Sequence, residues 1–300
     1  MFPLSQSTFT EQDVLDFATE EMNMAIVPAV LKEQEDYYLY SEDIALVNGT
    51  TKYNIPYRAI GNKIRDVSIV DASGNVLEMS RIGIGDLPLY PILNSSNLSK
   101  FYIMNNQVGL TADTGLTGNS LRISYYLRPN SLVPNAEICN VVSVNRTTGV
   151  VTVDAVPAGF TVVNLDGTRR KLDFIKAKSP HKLLNYDITP STSSTVSITF
   201  ALADIPADLE MNDIITLATE TNIPQIPSDL HVLLAQRVSA RILESIGDTE
   251  GLTNANAKIA ELEQKTNVII GNRVDDAPKI ITNNKSILRA SLGGRRRLWR

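Results

Sequence analysis

Cysteine, histidine and tryptophan are nearly missing from this sequence. One cysteine, Cys139, excludes an internal disulfide and a thiolate metal cluster, so neither staple contributes to stability. The two histidines, His181 and His231, show no HExxH-type spacing and no second ligand nearby, which leaves each with a structural reading. No apolar run reaches the roughly 18 residues of a membrane span. The first ten residues lack the basic segment and apolar stretch of a signal peptide, so a cytoplasmic chain without a membrane partner is expected. Nucleotide-binding patterns are missing too. Gly83-Ile84-Gly85-Asp86 has no third glycine and no helix start behind it, and strands do not alternate with helices.

What is there is a chain of 300 residues and 43% hydrophobic content, enough for one large domain or two modest ones. Its charge is uneven. Residues 279–300 carry Lys279, Lys285, Arg289, Arg295, Arg296, Arg297 and Arg300 with no acidic residue, and removing those seven charges from the net −5 leaves −12 on the rest. The body is acidic and the end is basic.

Thr10 followed by Asp13 resembles a capping box, and Val14, Phe17, Ala18, Met22, Ala25 and Ile26 recur at helical spacing behind it. Pro28 kinks this helix or begins a second one. From about residue 42 to 220 the texture is short Val/Ile/Tyr-rich runs between turn residues, which predicts antiparallel sheet. Hairpins are expected at Asn48-Gly49, at Ser73-Gly74-Asn75 and at Asn145 to Gly149, with a subdivision near residue 130, where Pro129 stops a strand. Ile198-Thr199-Phe200 and Ile214 to Leu217 belong to a second β-unit. Pro224 and Pro227 end the sheet texture, Ser228 is placed to cap a helix, and Gly247 to end it. A further helix from about Leu252 to Ile270 completes an αα-hairpin.

The expected fold is therefore α+β. Residues 1–41 and 221–272 form a helical bundle, the N-terminal helix plus the C-terminal αα-hairpin. Residues 42–220 are a large inserted antiparallel β-rich region, and residues 273–300 an extended basic arm. The arm interleaves Ile280, Ile281, Ile287, Leu288, Leu292, Leu298 and Trp299 with its basic residues and Gly293-Gly294, so it needs a partner to become fixed.

Catalytic or metal-binding constellations do not emerge, and no cofactor or enzyme activity is expected. Cys139 has no basic neighbour to activate it, and Asp275-Asp276 reads as a solvated pair. The Arg295-Arg296-Arg297 run has three readings: a solvated tail, a nucleic-acid contact, or part of an arm that docks in a protein groove. The apolar anchors favour docking, because a phosphate contact does not need them.

Several stretches together resemble the head-to-tail connector (adaptor, or neck-ring) proteins of tailed bacteriophages. They are Phe9 to Leu15 leading to Glu33 to Tyr38, then Ile55 to Gly61, Leu121 to Tyr126, and Ile226 to Leu230 continuing to Gly247-Asp248. Many members are small and mostly helical, and this chain departs from them in its long β-region. The resemblance implies a structural virion protein, assembled in the host bacterial cytoplasm as a homo-oligomeric, dodecameric ring between the portal protein and the tail or a second neck ring. It implies a C-terminal arm that reaches the portal through Lys285, Ile287, Leu288, Arg289, Leu292, Arg295, Arg296, Arg297, Leu298, Trp299 and Arg300. Double-stranded DNA would cross an acidic channel without specific binding. Arg237, Arg241, Glu244, Glu261 and Glu263 offer charges of both signs for subunit–subunit contacts. Two alternatives stay open: a tail or baseplate structural protein, and a nucleic-acid-binding protein that uses the basic tail.

Overall fold

The computed structural model describes residues 9–85, 100–111, 118–165 and 167–271, apart from the side chains of Asn267 and Ile269. The arm expected at 273–300, Asp86 and the pair Asp275-Asp276 lie outside the described residues.

Helix α1 (Glu11–Glu21) starts on the expected capping box, with Asp13 N donating to Thr10 Oγ1 at 3.2 Å and Thr10 N to Asp13 Oδ2 at 2.8 Å. Of the two readings of Pro28 the second holds, since it stands in the first turn of a new α-helix. A π turn, Met22–Ile26, leads directly into α2 (Val27–Glu33), with Val27 N–H bonded to Met22 O. Pro28 has no N–H to offer the carbonyl four residues back, and a widened turn absorbs that missing bond.

The strands follow as β1 (Leu39–Ala45), β2 (Lys52–Asn54), β3 (Ala59–Val70), β4 (Val76–Glu78), β5 (Ser80–Arg81), β6 (Lys100–Met104), β7 (Gln107–Leu110) and β8 (Ser120–Leu127). After β9 (Ser131–Leu132) come β10 (Cys139–Asn145), β11 (Val150–Val153), a helical turn α3 (Ala158–Thr161), β12 (Leu172–Ile175) and β13 (Leu183–Ile188). The last are β14 (Thr192–Ser193), β15 (Ser197–Thr199), β16 (Ile214–Leu217) and β17 (Glu220–Thr221). They build one sheet in the order β1-β8-β3-β4, a second in the order β2-β7-β6-β5, a third in the order β13-β12-β16-β10-β11-β15-β14, and a parallel pair β9–β17.

Two of the three expected hairpins form as read. Val70 pairs with Val76 across Ser73-Gly74-Asn75, and Asn145 pairs with Val150 across the turn that ends at Gly149. Asn48-Gly49 turns the chain, with Gly49 at φ 82° and Thr50 N bonded to Val47 O at 3.0 Å, but makes no hairpin. Strand β1 pairs along its whole length with β8, and β2 pairs with β7 in another sheet. Leu46, Tyr53 and Ile55 are buried in the core between those sheets, and burying them requires the flanking strands to part.

Helix α4 (His231–Ile246) and α5 (Thr249–Ile270) are joined by Gly247 and Asp248. Gly247 adopts φ 82° and donates to Leu243 O and Glu244 O, as expected of a left-handed cap. Ser228 does not cap α4. A 3-10 turn, Ser228–Leu230, precedes the helix, and the Ser228 hydroxyl is already paired with that of Ser179 at 2.8 Å.

Three apolar clusters result. The first fills the space between the first two sheets and takes in Ile175, Leu183 and Ile214 from the third, so the β-units on either side of residue 130 share side chains. Another, with Cys139, Phe160, Phe174 and Ile198, lies within the third sheet. The remaining one joins Met22, Ile26 and Val30 to Leu234, Val238 and Ile270. The protein is thus α+β, with a large antiparallel β-rich region and a few helices. Among the described residues no helix is long and apolar enough to cross a membrane.

Candidate functional site

The tight turn before β3 closes with Ala59 N on Pro56 O at 2.9 Å and drives Arg58 inward, where it is 3% exposed. A guanidinium so buried needs partners for all its donors. Arg58 Nη1 and Nη2 grip Asp173 in bidentate fashion at 2.7 and 2.8 Å, and Nη2 also reaches Asp187 Oδ1 at 2.7 Å. Asp173 is fully buried and also accepts from Asn130 Nδ2, Asp187 N and Thr219 N. Burial pulls the Arg58 pKa down, and the Asp173 hydrogen bond and charge more than offset that, so it ends above its ordinary value. The Tyr186 ring lies under the guanidinium, 5.1 Å from its carbon.

Arg58 and Asp187 of this hub, with Tyr57 and Tyr186, line a cleft of about 1060 Å³. Its walls are Tyr40 to Ile44 of β1, Lys52 to Asn54 of β2 and Leu184 to Asp187 of β13, and each of these strands is the outermost of its own sheet. Tyrosines are fixed around it. Tyr125 and Tyr186 share a hydroxyl hydrogen bond of 2.6 Å, and Tyr40 donates to Leu183 O at 3.0 Å. Tyr57 is 62% exposed yet held by its hydroxyl on Asp187 Oδ1 at 2.6 Å. Burial, followed by the charge of Asp187, raises the Glu42 carboxyl above the usual range, and Lys171 opposes the shift. Strand edges that carry no further strand among the described residues, beside aromatic rings, suit an extended polypeptide, which can add main-chain bonds to an edge and bury side chains against the rings.

The residues read from sequence lie elsewhere. Arg237 bridges Glu21 on α1 at 3.2 Å and also meets Glu263 on α5, while Arg241 reaches Glu20 at 3.4 Å and Glu244 at 3.3 Å. Glu261 pairs with Lys265. All five are thus engaged within the chain: Arg237, Arg241 and Glu263 tie helices together, whereas Glu244 and Glu261 pair within their own helices. The portal-binding positions from Lys285 to Arg300 are outside the described residues. Cys139 is fully buried on β10, and burial, then the charge of Asp154, pushes its thiol pKa up, in keeping with an inert thiol.

Two groupings escape sequence reading. The Arg58 hub joins residues separated by 115 positions, and nothing local marks them. His181 and His231 come together with ring centroids 6.0 Å apart at an interplanar angle of 20°. Burial, and then the neighbouring His231, lower the His181 pKa. The only local signals were the prolines before each: Pro180 next to His181, and Pro227 opening the turn that leads to His231. The chain matches no protein-family model and no curated protein.

Proposed function

We propose that the chain is a structural, non-catalytic subunit of a tailed-phage particle, a connector that assembles as a dodecameric ring between the portal and the tail. The observation that carries the assembly reading is the meeting of three outermost strands, β1, β2 and β13, around one open cleft. Bare edges are a liability in a protein that acts alone, and a rail for docking in one that joins neighbours. The resemblance of the sequence to neck-ring proteins is what supports a place in the phage neck.

In this reading the helices are a bundle of the N-terminal helix and the C-terminal αα-hairpin, with residues 42–220 as an insertion. The apolar cluster shared by α1, α2, α4 and α5 supports it. Gln34 Nε2, just past α2, donates to Ile270 O at 3.0 Å and holds the end of α5 on this bundle. From there Lys285 to Arg300 reach the portal, with Ile287, Leu288, Leu292, Leu298 and Trp299 as anchors and the arginines as charge. On α4 and α5, Glu244 and Glu261 keep 58% and 62% of their side chains exposed and are the acidic positions best placed to meet a neighbouring subunit. An acidic body lining the channel lets DNA pass without adhering.

Removal of Leu298 to Arg300, or a Leu288→Asp change, is expected to leave DNA-filled heads without tails in lysates viewed by electron microscopy, because a buried interface Trp contributes roughly 2 kcal/mol or more. Changing Arg295, Arg296 and Arg297 to Gln is expected to slow attachment and lessen its salt sensitivity while tails still form. Normal tailed particles from the truncated and Leu288→Asp variants alike would exclude a portal-binding arm.

A further inference from the structure

The first sheet has a second outer strand besides β1. Among the described residues β4 pairs with β3 alone, and Val76 and Leu77 on it are 52% and 55% exposed. Successive side chains leave a strand on opposite faces, so two exposed apolar neighbours mean that this edge is open on both. The hairpin that presents them is stiff. Gly74 turns it at φ 85°, and the Asp71 carboxylate accepts from Ser73 N at 2.8 Å and from Asn75 N at 2.9 Å. Apolar side chains held out on an unpaired edge are a surface for another strand.

Hydrogen-bond phase decides which edge can take it. Met79 N bonds to Val67 O and Asp71 N to Asn75 O, so Asn75, Leu77 and Met79 turn their backbone groups to β3, and Val76 and Glu78 turn theirs outward. On β1, Leu46 N bonds to Asn119 O in a register without shifts. Tyr40, Glu42 and Ile44 therefore turn their backbone groups to β8, and Ser41, Asp43 and Ala45 turn theirs outward. Joining the outward groups of both edges sets Leu77 on the face of Tyr40 and Ile44. That is the face Leu77 already occupies in its own sheet, opposite Ile69, and it is the core face of both strands. Direction agrees as well. Three antiparallel steps separate β1 from β4, so β4 runs against β1 and continues the ladder without inverting the copy. Charge adds to this: from Val70 to Glu78 the hairpin carries Asp71 and Glu78 and no cation. The cleft offers Lys52 and Lys171, neither of which is in an ion pair among the described residues.

We propose, on the assembly reading above, that the polypeptide filling the cleft is a second copy of this chain: β4 of one copy adds to the β1 edge of the next, with Leu77 beside Tyr40 and Ile44. The two surfaces are opposite edges of one sheet, so each contact leaves a β4 free at one end of the pair and a β1 at the other. Such a head-to-tail contact closes into a ring when its rotation divides the circle evenly. A two-fold pairing of β4 with β4 stops at two copies.

The test is cross-linking in purified particles that carry Ser41→Cys and Val76→Cys, singly and together, with a short bismaleimide and denaturing gels. Both positions are exposed, and Cys139 is buried. The double variant is expected to give a ladder of cross-linked multimers and each single variant monomer alone. A double variant without a ladder, or dimers from a single variant, would overturn the proposal. Leu77→Asp, checked for folding by circular dichroism of the purified chain, is expected to lower the yield of tailed particles about tenfold or more, because its carboxylate is buried unpaired beside Tyr40. An unchanged yield would overturn the proposal as well. The two readings fail differently: a chain present in the particle without the ladder contradicts only the seating of β4 on β1, and a chain absent from the particle contradicts the assembly reading and this contact with it.

Discussion

A guanidinium that is 3% exposed persists in an interior only when every donor is met, and Arg58 meets its own with Asp173, Asp187, Asn130 and the Tyr57 hydroxyl. Truncating Arg58 to Ala leaves Asp173 buried and charged without its counterion, at a cost of about 3–5 kcal/mol. Urea denaturation of Arg58→Ala checks this, and a loss under about 1 kcal/mol would mean that the hub is not a structural tie. Glu42 carries the opposite kind of stress. Its folded-state pKa is raised by burial and by Asp187, so the carboxyl holds its proton more tightly in the folded protein than in the unfolded chain. Such a group costs stability once the pH exceeds its folded value, and the cost disappears as the pH falls through that value. Glu42→Gln is therefore expected to raise stability at neutral pH, with the gain vanishing at about pH 4, below the usual glutamate value. Denaturation curves at the two pH values read this directly. Neither residue was legible in the sequence. Their partners come from strands brought together only by tertiary structure, and a buried arginine looks like any other until its surroundings are assembled.

Elements whose signals are local were legible. Thr10 with Asp13, Gly247, Ser73 to Asn75 and Asn145 to Gly149 each satisfy their own backbone groups within a few residues, so the sequence contains the whole reason for them. Asn48-Gly49 misleads because a turn dipeptide specifies a reversal and not the partner of the strands it separates. That choice is made by β8, which pairs with β1 along its whole length, and by β7, which takes β2 into another sheet. Ser228 misleads for a related reason, since a hydroxyl already paired with Ser179 is not free to cap a helix. Gly149 shows how tightly a local element is tied to its neighbour. It sits at φ 74°, and an added Cβ would lie 2.3 Å from the backbone oxygen of Phe200, the residue just past β15. Gly149→Ala is expected to cost more than the roughly 1–2 kcal/mol of left-handed backbone alone, because the β11–β15 edge must also shift. Thermal unfolding measures it, and a cost within that backbone figure would mean that the edge yields freely.

At the scale of the whole molecule, charge and topology point the same way. An acidic body of −12, seven cations in the last 22 residues and three sheet edges turned on one cleft are features that a lone globular protein does not need. The helix and strand content and the α+β class were readable from periodicity. The sharing of one core across residue 130 was not, because Ile175, Leu183 and Ile214 reach into the first two sheets from strands far along the chain. A ring reading places those edges between copies and sends the basic arm upward to the portal. Electron cryo-microscopy of the neck of purified particles tests this most directly. The account predicts a closed ring of this chain directly beneath the portal, with the segment after Ile270 seated on portal density. Density for the chain only in the tail or baseplate, or none in the particle, would contradict it.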